Sequence, residues 1–254
     1  MRKRPQVPCV DDSATASAAS RFGRYKSEEE SLVRVPGVRA NKELDMLIRV
    51  WKSYEGLFGA DNGRSVIDDN TDDYLRDYYQ VAAAILQGRR FSAKTVERFS
   101  VAFQGLADIE HASLRGGGAF FSALVNLGNA DSYRLNLGPN GSVLYGLCFR
   151  NCRNVAVYGD AGEAPGVKMK SGRIVIEGDA HGFFCQEMEG GTAILNGNAY
   201  FDDGGEVAGS GMTGGEIHLN GEMFCRRGED TVAEMRNQII HGRIFHKGKL
   251  IVDK

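Results

Sequence analysis

Asn154-Val-Ala-Val-Tyr-Gly159, Arg173-Ile-Val-Ile-Glu-Gly178, Thr192-Ala-Ile-Leu-Asn-Gly197 and Glu216-Ile-His-Leu-Asn-Gly221 are four versions of one phrase, a short alternating segment ending in glycine. The final glycines lie 19, 19 and 24 residues apart. Met169, Met188 and Met212 follow the first three segments at matching intervals, and Gly172, Gly190-Gly191 and Gly214-Gly215 precede the next. Self-similarity near 20 residues marks a solenoid, whose repeats bury their apolar faces against one another.

Side chains alternate along a strand, so each segment sorts into two faces. Val155, Val157, Ile174, Ile176, Ala193, Leu195, Ile217 and Leu219 fall on one face, and all are apolar. The other face is mostly polar, except for the middle positions Ala156, Val175 and Ile194. Segments stacked at about 4.8 Å turn the first face into a continuous inner ladder, which predicts a mainly-β chain built as a single-stranded parallel β-helix. Gly159, Gly178, Gly197 and Gly221 are its expected corners, where positive φ or close backbone approach leaves no room for a β-carbon. The methionines are expected to fill a second inner wall. Ala156, Val175 and Ile194 make a candidate interface, covered by the chain's own helices, by a partner subunit or by a second copy.

Gly172-Arg-Ile-Val-Ile-Glu-Gly-Asp-Ala-His-Gly182 and Met188-Glu-Gly-Gly191 carry the recurring pattern strand-Gly-Asp-Ala, glycine, methionine, Gly-Gly. This pattern resembles the GXGXG-repeat family, which includes the C-terminal domain of the glutamate synthase large subunit and the C subunit of formylmethanofuran dehydrogenase. The likeness spans about 133–222. It implies a right-handed β-helix that holds other domains or subunits together and contributes no catalytic residue. It also implies a place in a redox or amidotransfer assembly. From the chain's own residues, a protein partner or a homo-oligomer is expected, and no cofactor.

The chain has 254 residues, with 31 basic and 33 acidic side chains and a net charge of −2. No basic block beyond the first four residues suggests a nucleic-acid footprint. Thirty-three glycines with only five prolines suit a corner-rich repeat. Five cysteines, an odd number, suit a reducing compartment better than a disulfide framework. No apolar run is long enough to span a membrane. Met1-Arg-Lys-Arg4 leads into Pro5, Asp11 and Asp12 rather than an apolar segment, so a cytoplasmic location is expected.

Residues 1–35 hold almost no large apolar side chain and read as a disordered tail. Within 40–111 three helices are expected. The first carries Leu44, Leu47, Ile48, Trp51, Tyr54 and Phe58 and stops at Gly59. The second starts near Asn70 or Thr71 and buries Tyr74, Leu75, Tyr78 and Ile85. The third starts at Ser92, buries Val96, Phe99, Phe103 and Leu106, and ends near His111. The β-helix is placed at 115–227, with Gly116-Gly-Gly118 as a hinge and Ala119–Leu127 as its first strand. A further rung at 133–152 sets Leu135 and Leu137 over Val155 and Val157, with its corner at Gly138. The repeat is expected to stop at Glu222. Residues 228–254 then form a helix capped by Asp230, carrying Val232 and Met235, and one or two edge strands.

Asp160, Asp179, Asn198 and Glu222 each follow a corner glycine. Stacked, they cap backbone amides at the turns or hold a hard cation. Asp202 and Asp203 lie in the insertion of the longest repeat, and with Asp179 they define the alternative reading, an enzyme with a carboxylate or cation site on the wall. Cys148, Cys152, Cys185 and Cys225 fall at spacings that build no metal cage, and neither His181 nor His218 has a ligand partner in sequence. The favoured reading is a non-catalytic scaffold or interaction module.

Overall fold

Successive repeats stack in register. The computed structural model describes residues 41–58, 71–106, 113–201, 207–225 and 231–254. The expected tail 1–35 lies outside these, as do Gly59, Asn70, His111, Asp202, Asp203 and Asp230. Strands β1 (Ser132–Gly138), β2 (Asn154–Gly159), β4 (Arg173–Ile176), β6 (Thr192–Leu195) and β8 (Glu216–Leu219) form a parallel sheet, continued by β10 (Arg243–His246) and β11 (Lys249–Asp253). Strands β3 (Ala161–Glu163), β5 (Ala180–His181), β7 (Ala199–Phe201) and β9 (Met223–Cys225) form a second sheet. Turns close a third wall. The result is a parallel β-helix of about four turns with an α-helical N-terminal region.

The inner ladder has the expected register. Val155, Ile174, Ala193 and Ile217 pair in sequence, as do Val157, Ile176, Leu195 and Leu219. All eight are buried. Met169, Met188 and Met212 are fully buried on the third wall. Their tips lie under the next rung: a β-carbon on Gly191 would stand 2.7 Å from Met169 Cε, and one on Gly215 2.7 Å from Met188 Cε.

Close approach, more than backbone angle, explains the corner glycines. Only Gly159 of the four has positive φ, at 119°. A β-carbon on Gly178 would lie 2.5 Å from the carbonyl of Gly159, and those on Gly197 and Gly221 would strike the carbonyls of Gly178 and Gly197. Because backbone meets backbone, no side chain can move aside. Gly197→Ala is expected to cost about 1–3 kcal/mol by overpacking, whereas Gly105→Ala, in open space on a helix, should be neutral or stabilising. Urea titration of both variants checks this; equal midpoints would contradict the column of touching glycines.

The first rung is paired two residues away from the expected register. Tyr133 and Leu135, rather than Leu135 and Leu137, lie beside Val155 and Val157. A shift of two keeps the same face inward, so Tyr133, Leu135 and Leu137 are all buried. An irregularity between Asn136 and Gly138 then brings Gly138 opposite Gly159, into the corner column.

The β-helix starts later than residue 115. Ala119–Leu127, expected as a strand, belongs largely to a helix, Ser113–Asn126. This is α4, after α1 (Lys42–Phe58), α2 (Thr71–Leu86) and α3 (Ala93–Leu106). Every residue from Gly116 to Val125 is buried, so no amphipathic period marks the helix in the sequence. The glycine run is a contact surface inside the helix rather than a hinge. A β-carbon on Gly116 would lie 2.7 Å from both Tyr54 Oη and Tyr78 Cδ1, and one on Gly118 would strike the carbonyl of Tyr145. The helix thus lies flush on its neighbours, at about 1 kcal/mol of helix propensity per glycine.

The four helices close the N-terminal end of the solenoid. Leu44, Leu47, Ile48, Trp51 and Tyr54 of α1 are buried as expected, and so are Val96, Phe99, Phe103 and Leu106 of α3. On α2, Leu75 and Tyr78 are buried, while Tyr74 and Ile85 are only partly covered; Ala82 and Leu86 complete that face. Ser92 caps α3, its Oγ accepting from the Thr95 amide at 3.2 Å. Helix α3 also protects the edge of β1: Asn136 N donates to Ser100 Oγ at 2.7 Å, and Gln104 Nε2 donates to Asn136 O at 2.8 Å.

The repeat also runs one strand beyond Glu222. β10 pairs in parallel with β8, placing Ile244 beside Ile217 on the inner ladder. β11 then pairs antiparallel as the sheet edge, and α5 (Thr231–Gln238) buries Met235. Val232 is partly exposed.

Candidate interaction face

The outward face of the seven-stranded sheet carries three columns of side chains. Its middle column runs Arg134, Ala156, Val175, Ile194, His218 and Phe245 in consecutive paired strands. Ala156, Val175 and Ile194 are half-buried, shielded by their neighbours in the sheet but uncovered above it. The helices close the end of the solenoid and leave this face open, apart from one wall. That wall is the first turn of α3, where Ala93, Lys94 and Glu97 border a groove of about 670 Å³ floored by Ala156 and Val175.

At the opposite end the face is raised. His218 and Phe245 stack with ring centroids 4.7 Å apart and planes 5° from parallel. The stripe is therefore longer than the three residues expected. His218 was legible as outward-facing; Phe245 was missed because the repeat was read as stopping at Glu222. Aligning Gly242-Arg-Ile-Phe-His246 with Gly215-Glu-Ile-His-Leu219 would have found it.

Charged and amide groups flank the stripe. Glu216 forms an ion pair with Arg243, and its carboxylate lies 3.5 Å from His218 Nε2. On the other side Asn220 Nδ2 donates to Asn196 Oδ1 at 2.8 Å, and Asn196 Nδ2 donates to Glu177 Oε2 at 2.8 Å. Arg173 has no ion-pair partner among the described residues and is exposed.

The other candidate residues are engaged in holding rungs together. The Asp160 carboxylate accepts from the Asp179 amide at 2.9 Å, Asp179 accepts from the Asn198 amide at 2.7 Å, and the Asn198 side-chain oxygen accepts from the Glu222 amide at 3.0 Å. Each acceptor thus caps the turn one rung on. Lys247 beside Glu222 holds its carboxyl below the usual range, first by hydrogen bonding and then by charge. No group of three metal-ligating side chains occurs among the described residues. Cys148, Cys152, Cys185 and Cys225 are free. Burial pushes the Cys148 thiol up to about 12, and burial, then the neighbouring Cys148, raises that of Cys185. Neither is a ready thiolate.

His181 stands on the second sheet, stacked on Tyr200 at 4.9 Å, with Tyr200 on Phe224 at 5.0 Å. This aromatic column is held by ring stacking within the wall. Among the described residues no helix is long and apolar enough to cross a membrane. No family model, curated protein or solved structure matches the chain.

Proposed function

We propose that the chain is a non-catalytic interaction module, a stiff β-helix that presents the outward face of its seven-stranded sheet to a protein partner. One observation carries this reading: the apolar column through Ala156, Val175 and Ile194 continues into a stacked aromatic pair and, among the described residues, no helix covers it. The stacked glycines and the turn-capping carboxylates support it, since both hold the wall rigid and neither presents a reactive group. A scaffold role of the kind found in glutamate synthase and formylmethanofuran dehydrogenase assemblies follows from the sequence resemblance. A reducing, cytoplasmic setting accords with the free thiols.

Val175→Asp tests the reading. The residue is half-buried on the outer face, so the substitution should cost at most about 1 kcal/mol in folding. It should nevertheless abolish association. Size exclusion of extracts from native cells and of the purified chain at about 100 µM, comparing wild type and variant, gives the result; an elution volume unchanged in both would remove the face as a docking site.

A further inference from the structure

The geometry points to a second copy of this chain as the occupant of the face, in a two-fold dimer whose axis runs parallel to the strands beneath β6. This inference rests on the docking reading above and names its partner. The face is uneven. It is hollow at one end, where the groove lies over Ala156, and raised at the other, where the His218–Phe245 stack stands. A two-fold along the strands reverses the order of rungs, so each raised end meets the hollow end of the other copy.

The paired registers give the contacts. With β6 on the axis, Thr192 and Ile194 meet their own equivalents, Val175 meets His218, and Ala156 meets Phe245, a small residue against a large one. In the flanking column Arg173 meets Glu216 of the second copy, twice by symmetry. There Glu216, already beside Arg243, gains a second cation, and Arg173 gains an anion. A two-fold along the solenoid axis instead sets Arg134 against Arg134 and Phe245 against Phe245. Shape favours the first arrangement, which sets the large Phe245 over the small Ala156 rather than over a second Phe245.

Seven strands at about 4.8 Å spacing and four residues at about 3.3 Å give a face of roughly 34 by 13 Å, hence on the order of 900 Å² from two copies. That lies below the standard interface size, so the dimer belongs to the weak, concentration-dependent class.

Sedimentation equilibrium of the purified full chain, at concentrations up to about 100 µM, tests this directly. The wild type should shift from monomer to dimer within that range. Arg173→Glu and Glu216→Arg each set like charges together twice and should raise the dissociation constant about tenfold or more. An equimolar mixture of the two variants should recover the dimer, because Glu at 173 then faces Arg at 216 and Arg faces Glu in the other contact. Thr192→Lys, on the axis, sets two lysines together and should also weaken the dimer. A wild type that stays monomeric overturns the self-pairing, as does a mixture no tighter than its components. The docking reading fails separately, if Val175→Asp leaves the elution volume unchanged both in native extract and for the purified chain at about 100 µM.

Discussion

Replacing Trp51 with alanine is expected to lower stability by about 3–5 kcal/mol. Its ring is fully buried in α1 and meets those of Phe103 and Phe120 edge-on, with centroids 4.9 and 5.1 Å away. Phe99 and Phe121 extend the cluster, 5.4 Å apart. The buried residues of the helices and of the solenoid form one continuous core, so the loss should appear as a single transition in which helix and strand signals fall together. Guanidinium titration followed by circular dichroism is the measurement, since this is the chain's one tryptophan and its fluorescence goes with it. Trp51→Phe should lose less, because it keeps an aromatic ring and removes an indole N–H that has no hydrogen-bond partner among the described residues. A loss below about 1 kcal/mol for the alanine variant, or a helical transition separate from that of the strands, would mean that the aromatic cluster does not hold the helices to the solenoid.

Leu195→Ala should cost about 2–5 kcal/mol. Leu195 is fully buried between Ile176 and Leu219, one rung to either side. The neighbouring rungs of this wall are pinned to one another by backbone hydrogen bonds, so a cavity there cannot readily collapse: Asn196 N donates to Ile176 O at 2.8 Å and Asn220 N to Leu195 O at 2.9 Å. Denaturant titration checks it, and a loss under about 0.5 kcal/mol would be inconsistent with this inner ladder.

The solenoid was legible because its signals repeat. Period-two alternation, corner glycine, capping Asp or Asn and buried methionine recur at one spacing, and each copy confirms the others. Legibility failed where a local signal stood alone. Ala119–Val125 is buried on all sides, so its helical period is invisible, and Gly116–Gly118 resemble a hinge until Tyr54, Tyr78 and Tyr145 are seen against them. Register in the first rung was missed by two residues because Tyr133, Leu135 and Leu137 all suit the inner face. For the candidate face, Ala156, Val175 and Ile194 could be read from alternation alone. The groove walled by α3 could not, since it joins residues 93–97 to residues 132–177 through the docking of a helix on the end of the stack.

The glycine columns and the turn-capping carboxylates share one period, and this bears on how such a chain can change length. Removing the 19 residues from Asp160 through Gly178 would leave Asp179 following Gly159, with each column again continuous. Removing a single residue inside a strand would put polar side chains on the inner ladder and break both columns at once. The rung with 24 residues shows the permitted variation: its extra residues fall between β7 and the third wall, and Tyr200 still pairs with Phe224 while Leu195 still pairs with Leu219. Insertions and deletions are thus admitted in whole rungs or at that corner, so the length of the solenoid can change in steps without redesigning its cross-section.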